Sequence, residues 1–115
     1  MATKRLPAVF FQSASGSEPV REWLKRLSSE DRIAIGQDIA KVEFFWPIGM
    51  PTVRTIAGRK GLMEVRTNLS GGRIARVLFC VHDRQMVLLH GFMKTSQKTP
   101  SRELDLAEAR QRGLQ

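Results

Sequence analysis

The chain has 115 residues, 42% hydrophobic and 26% charged, which fits one globular domain over residues 1–115 and excludes a disordered chain. A domain of this size buries a core without a metal or disulfide staple, and no apolar stretch approaches the ~20 residues of a membrane span. Nineteen Lys and Arg against eleven Asp and Glu give a net charge of +8, which points to a polyanionic partner. Nucleic acid is the first candidate, with an anionic membrane or an acidic protein as the others.

The basic start Met1-Ala2-Thr3-Lys4-Arg5-Leu6-Pro7 leads into no long apolar core, so no secretory signal is expected. Val9-Phe10-Phe11 reads as a short strand, closed by the turn-rich Ser13-Ala14-Ser15-Gly16-Ser17. Ser17 is the expected cap of a first helix, with Glu18 and Pro19 in its first turn. Val20, Trp23, Leu24 and Leu27 recur on one face of it. Ser28-Ser29 breaks the pattern, with Ser29 the expected cap of a second helix. Ile35, Ile39, Val42 and Trp46 form its stripe, and Pro47 stops it. Residues 18–46 therefore read as a helical hairpin whose apolar stripe needs a sheet to cover.

Residues 53–56 read as a short strand, and 58–61 as a loop carrying Lys60. In residues 62–69, Met63, Val65, Thr67 and Leu69 alternate with Glu64, Arg66 and Asn68, the pattern of a strand with one buried face. Ser70-Gly71-Gly72 is a hairpin turn. Residues 73–82 are almost continuously apolar, which marks a central strand buried on both faces. Cys80, the single cysteine, lies within it. It can form no internal disulfide and reads as a small buried hydrophobe, in keeping with a reducing cytoplasm. His82-Asp83-Arg84-Gln85 turns the chain into a last strand over residues 86–93. Glu103, Leu104, Leu106, Ala107 and Arg110, after Pro100, read as a short C-terminal helix capped by Ser101. The order β-α-α-β-β-β-β-α predicts an α+β fold. Its antiparallel sheet has four to five strands, with the helical hairpin packed on one face.

Register decides which side chains share a face. A three-residue loop at 70–72 pairs residues whose numbers sum to 142. That register sets Met63, Val65 and Thr67 beside Ala75, Val77 and Phe79 on one apolar face, and is the one to expect. It also places Arg66 opposite Arg76. Two arginines side by side repel, so a pair kept together is a candidate anion site.

The chemistry-bearing residues form a basic constellation: Arg66, Arg76, Lys94 and Lys98, with His90 and Phe92 nearby. Lys60 and Arg73 are further candidates for binding a substrate. Cleaving RNA through its own 2′-OH requires deprotonating that hydroxyl, stabilising the phosphorane and protonating the leaving 5′-oxygen. Arginine grips phosphate in bidentate fashion, and a preorganised donor at a developing charge is worth ~3–4 kcal/mol. Phe92 can stack on a base, at ~1–3 kcal/mol. Each residue also has a plain structural reading: His90 as a packed histidine, Phe92 as core, the lysines as a solvated edge. His82 and His90 offer no metal-ligand spacing, and no cofactor fingerprint is present, so neither metal nor cofactor is expected.

At these residues the sequence resembles the phage-derived HigB/RelE-like toxins of type II toxin–antitoxin pairs. The matching stretches are Pro19-Val20-Arg21-Glu22-Trp23-Leu24, Gly61-Leu62-Met63-Glu64-Val65-Arg66, Arg73-Ile74-Ala75-Arg76-Val77-Leu78-Phe79, and Leu88-Leu89-His90-Gly91-Phe92-Met93-Lys94 followed by Gln97-Lys98-Thr99-Pro100. The resemblance implies a small RelE-like fold. It implies an mRNA endonuclease acting on ribosome-bound mRNA without metal, with Arg66, Arg76, Lys94, Lys98 and His90 as catalytic candidates. It implies a cytoplasmic protein neutralised by a cognate antitoxin, a helix-turn-helix protein, in a heterotetramer. The pattern departs in two places. Thr95 follows Lys94 where a second lysine is usual, and Met63 replaces an aromatic residue. A gyrase poison of the same fold and a non-catalytic binding module are the alternative functions.

Overall fold

The computed structural model describes residues 3–94 and 98–114. The Thr95 position singled out above lies outside them. The chain runs β1 (Ala8–Phe10), α1 (Pro19–Lys25), α2 (Ser29–Phe45), β2 (Val53–Thr55), β3 (Met63–Asn68), β4 (Ile74–His82), β5 (Gln85–Lys94) and α3 (Ser101–Arg112). The strands form one sheet in the order β1-β5-β4-β3-β2, so β4 is central and buried along most of its length, as its apolar run predicts.

The sheet is mixed, which corrects the expected antiparallel one. β1 lies parallel to β5, with Val9 beside Val87, while the other three pairs are antiparallel. Tight turns fix the direction of β4 and β5, whereas β1 is joined to its partner only through the whole intervening chain. α1 packs on β5 and β1, and α2 on β3, both on one face of the sheet. Caps shift by one residue. Glu18 and Pro100 precede α1 and α3 without a side-chain cap bond, and Ser28 Oγ, not Ser29, accepts the Asp31 N–H at 3.2 Å.

The turn between β3 and β4 runs through Ser70–Gly72 and is kinked at Gly71, with Gly71 and Gly72 both at positive φ. It gives the 142 register, with Met63 opposite Phe79 and Arg66 opposite Arg76. One face of the sheet therefore carries Val65, Val77 and Phe79, and α1 and α2 cover it through Val20, Ile35, Ile39 and Val42. The other face carries Leu62, Leu78, Cys80, Val87 and Leu89, covered by Ala107 and Leu104 of α3.

A bulge interrupts β5. Leu78 pairs with His90, but Phe79 pairs with Leu88, so Leu89 is an extra residue on that strand. Because side chains alternate with period two, one extra residue reverses the phase of everything after it. His90, Phe92 and Lys94 consequently share the α3 face with Val87 and Leu89, and Gly91 and Met93 turn to the α1–α2 face.

Candidate functional site

The register assembles the charged residues into rows across neighbouring strands. Arg54 of β2 lies beside Glu64 of β3, and that row continues through Leu78 to His90. The next row is Arg66, Arg76 and Phe92, and the last is Asn68, Ile74 and Lys94. Four of the sequence-derived candidates, Arg66, Arg76, His90 and Lys94, thus share one face with Phe92.

Glu64 sits inside this cationic surface. It is fully buried, and its Oε1 accepts from Arg54 Nη2 at 2.6 Å and from Arg76 Nη1. Arg76 is 4% exposed, so the pair is a buried ion pair at the centre of the face. Burial holds the Arg76 guanidinium below its ordinary pKa, Glu64 opposes that, and Arg54 and Arg66 add to the depression. The pairing is incomplete: Glu64 Oε2 and Arg76 Nε are buried and find no hydrogen-bond partner. Four cations (Arg54, Arg66, Arg76, Lys94) thus face one carboxylate.

Arg66 is exposed and Lys94 half-buried, and neither forms an ion pair among the described residues. The Lys94 ammonium is held below its ordinary pKa, first by burial, then by the Arg76 charge, with Arg54 and Arg66 contributing and Glu64 opposing. A lysine in this setting gives up its proton more easily than one in water, which suits a general base.

The remaining candidates are placed differently. His90 has both ring nitrogens engaged. Nε2 lies 3.0 Å from Glu103 Oε1, and Nδ1 lies 3.4 Å from Arg110 Nη1. Arginine only donates, so Nδ1 accepts and Nε2–H points to Glu103. Arg110 also donates to the Leu89 carbonyl at 2.7 Å, so the bulge and His90 together fasten α3 to β5. Phe92 is 8% exposed and stacks on His90 with ring centroids 5.6 Å apart, as part of the α3-side core. Arg73 grips Asp31 of α2 with bonds of 2.7 and 2.9 Å and holds that carboxyl below the usual range. Lys60 lies beside the end of α3, its carbonyl accepting from Gln111 at 3.1 Å. Lys98 is exposed and lines a cleft together with Arg54.

Arg54, Glu64, Glu103 and Arg110 were not among the sequence-derived candidates. Arg54 and Glu64 left a signal, since pairing residues 53–56 with the alternating strand sets the two charges side by side. Glu103 and Arg110 left none, because their contact with His90 depends on where α3 packs.

Among the described residues no group of three or more His, Cys, Asp or Glu is placed to hold a metal ion, and no helix is long and apolar enough to cross a membrane. Fold and face define a small basic α+β domain with a strand-borne cationic surface. The model of the family described as "Phage derived protein Gp49-like (DUF891)" matches residues 22–112, and the chain belongs to that family. The family lies in the RelE/HigB-like toxin superfamily and is associated with the toxins of toxin–antitoxin systems. No curated protein matches the chain.

Proposed function

We propose that the protein is the toxin of a type II toxin–antitoxin pair and acts as an endoribonuclease on ribosome-bound mRNA in the cytoplasm. The observation that carries this reading is the alignment of Arg66, Arg76 and Lys94 on three adjacent strands of one face, in a chain of this family. In the proposed reaction Lys94, its proton already loosened, takes the proton of a 2′-OH. The 2′-oxygen bonds to the neighbouring phosphorus as the bond from phosphorus to the 5′-oxygen breaks, leaving a 2′,3′-cyclic phosphate and a 5′-hydroxyl. Arg66 supplies charge to the phosphorane, Arg76 sustains the local positive field, and the protonated Lys94 returns a proton to the leaving oxygen. Phe92 and His90 support the surface from beneath. The proposed antitoxin is a helix-turn-helix protein that neutralises the toxin in a heterotetramer.

One observation favours a second reading. Glu64 already occupies Arg76 Nη1, which suits a binding module that does not cleave. Induction of the wild-type chain beside Arg66→Ala and Lys94→Ala separates these. The proposal expects growth arrest, with mRNA fragments ending in a cyclic phosphate, in the wild type and relief in both folded variants. Arrest with intact mRNA and inhibited supercoiling would transfer the reading to a gyrase poison. No arrest from a folded wild type would transfer it to the binding module.

A further inference from the structure

The two faces of the sheet are covered in different ways. On one face α2 lays Ile35, Ile39 and Val42 into the core, all buried. On the other, α3 contributes a single fully buried side chain, Ala107, with Leu104 only partly buried and Leu106 40% exposed. The floor beneath α3 is nevertheless apolar, built from Leu62, Leu78, Cys80, Leu89 and Phe92. What ties the helix down is polar. Arg59, in the loop before β3, holds Asp105 at 2.6 Å and Glu108 at 3.4 Å. His90 meets Glu103 and Arg110, and Gln111 donates to the Lys60 carbonyl. Asp105 is 65% exposed, and ion pairs at such sites contribute little and are screened by salt. Arg110 lies part-buried against the Leu89 carbonyl and the Phe11 ring, with no carboxylate partner among the described residues. Its charge regains water when the helix lifts.

We infer that α3 is a charge-docked lid, which lifts off the sheet as one unit while the rest of the fold stays closed, and that its lifting releases both ring nitrogens of His90. Closed, the lid engages His90 through Glu103 and Arg110 and covers Phe92. Open, it leaves the imidazole unengaged on the face that carries Arg76 and Lys94. His90 thus has two states set by a helix that is far from it in sequence. The inference does not rest on the proposed function, because the lid is defined by how α3 is held and not by what the cationic face acts on.

Cys80, the single cysteine, lies in the floor at 3% exposed and reports the lid. Burial pushes its thiol up to about 11, so it reacts only once bared. The test is the rate at which 4,4′-dithiodipyridine, an uncharged reagent, labels Cys80 in the full chain, first without urea and then with urea rising towards the unfolding midpoint. The inference expects labelling without urea at least about tenfold faster than the global unfolding equilibrium allows, with a weak urea dependence. Salt and Arg59→Gln should each speed it, the variant by about three- to tenfold, the scale of two exposed ion pairs. Adding Glu103→Ala should multiply the effect, because both ties oppose one opening. Val42→Ala, on the opposite face, should lower the urea midpoint and leave labelling unchanged. Hydrogen exchange of the α3 amides, and exchange broadening of the His90 ring signals in NMR, should follow the same order of variants. Labelling that tracks global unfolding, that accelerates in Val42→Ala, or that ignores both salt and Arg59→Gln would each overturn the inference. Lid opening in a chain that arrests no growth would remove the nuclease reading alone, and arrest with labelling only on global unfolding would remove the lid alone.

Discussion

The indole of Trp23 occupies the space that a side chain at Gly91 would need: a Cβ there would lie 2.4 Å from Trp23 Cε3 and 2.5 Å from Cζ3. Gly91 has no positive φ, so the demand is for space alone. It is what lets α1 sit directly on β5. Gly91→Ala is expected to destabilise the domain by ~1–3 kcal/mol, the range for overpacking a core. Urea denaturation measures it, and combining Gly91→Ala with Trp23→Leu should recover part of the loss. Additive losses would show that the contact is not the cause.

Arg66 and Arg76 stand side by side yet should respond to truncation in opposite ways. Arg76→Ala leaves Glu64 buried with only Arg54, and removing one partner of a buried ion pair costs ~3–5 kcal/mol. Arg66→Ala, at an exposed site, should stay within ~0.5 kcal/mol of wild type. Thermal and urea unfolding of the two variants would decide this, and equal losses would contradict the ion-pair assignment. Activity lost in Arg76→Ala therefore says little about chemistry, whereas activity lost in Arg66→Ala does.

Lys94 makes stability and activity depend on pH in a definite direction. Its pKa is lowered in the folded state, so between that value and its ordinary one the unfolded chain binds more protons. Stability contributed at this position is therefore lowest while the amine is charged, and it rises with pH across that window. The difference in unfolding free energy between wild type and Lys94→Met should shift in favour of the wild type as pH is raised towards the ordinary lysine value of about 10.4. Single-turnover RNA cleavage should rise with pH up to the lowered folded-state value and level off above it, within that window. A rate that keeps rising up to the ordinary lysine value would remove Lys94 as the base.

The β4–β5 turn offers a gain. Asp83 and Arg84 form a two-residue loop between the paired His82 and Gln85, and both have positive φ, at 53° and 62°. Such loops favour Asn-Gly, and asparagine and aspartate tolerate this conformation better than arginine does. Arg84→Gly should stabilise the domain by ~0.5–1 kcal/mol, the left-handed cost removed less the entropy that glycine adds to the unfolded chain. A thermal melt of Arg84→Gly beside Arg84→Ala checks it, since alanine keeps the strain and should show no gain.

Much of the fold was legible where local pattern carried it. Alternation in residues 62–69 and the glycines after Ser70 gave the register that brings Arg66 to Arg76. The apolar run around Phe79 gave the central strand. The direction of β1 was not legible, because three apolar residues pair equally well either way and no turn constrains them. The site was legible as a set of residue types but not as a set of partners. Arg76 reads as a free cation until Glu64 is seen beneath it. His90 reads as a possible base, and its contacts with Glu103 and Arg110 form only where α3 packs on β5. Contacts made across 10 to 20 residues by helix packing leave no local trace.

The extra residue in β5 has a consequence for chain length. With Leu89 deleted, His90 would follow Leu88 in plain alternation, and every pair from His90 to Lys94 would keep its present partner on β4. The cationic rows would survive. What would go is a fully buried side chain under α3 and the carbonyl that Arg110 holds. The surplus residue therefore serves the helix and not the sheet: it is spliced into the strand as an anchor point, and the ladder on either side closes as though it were absent.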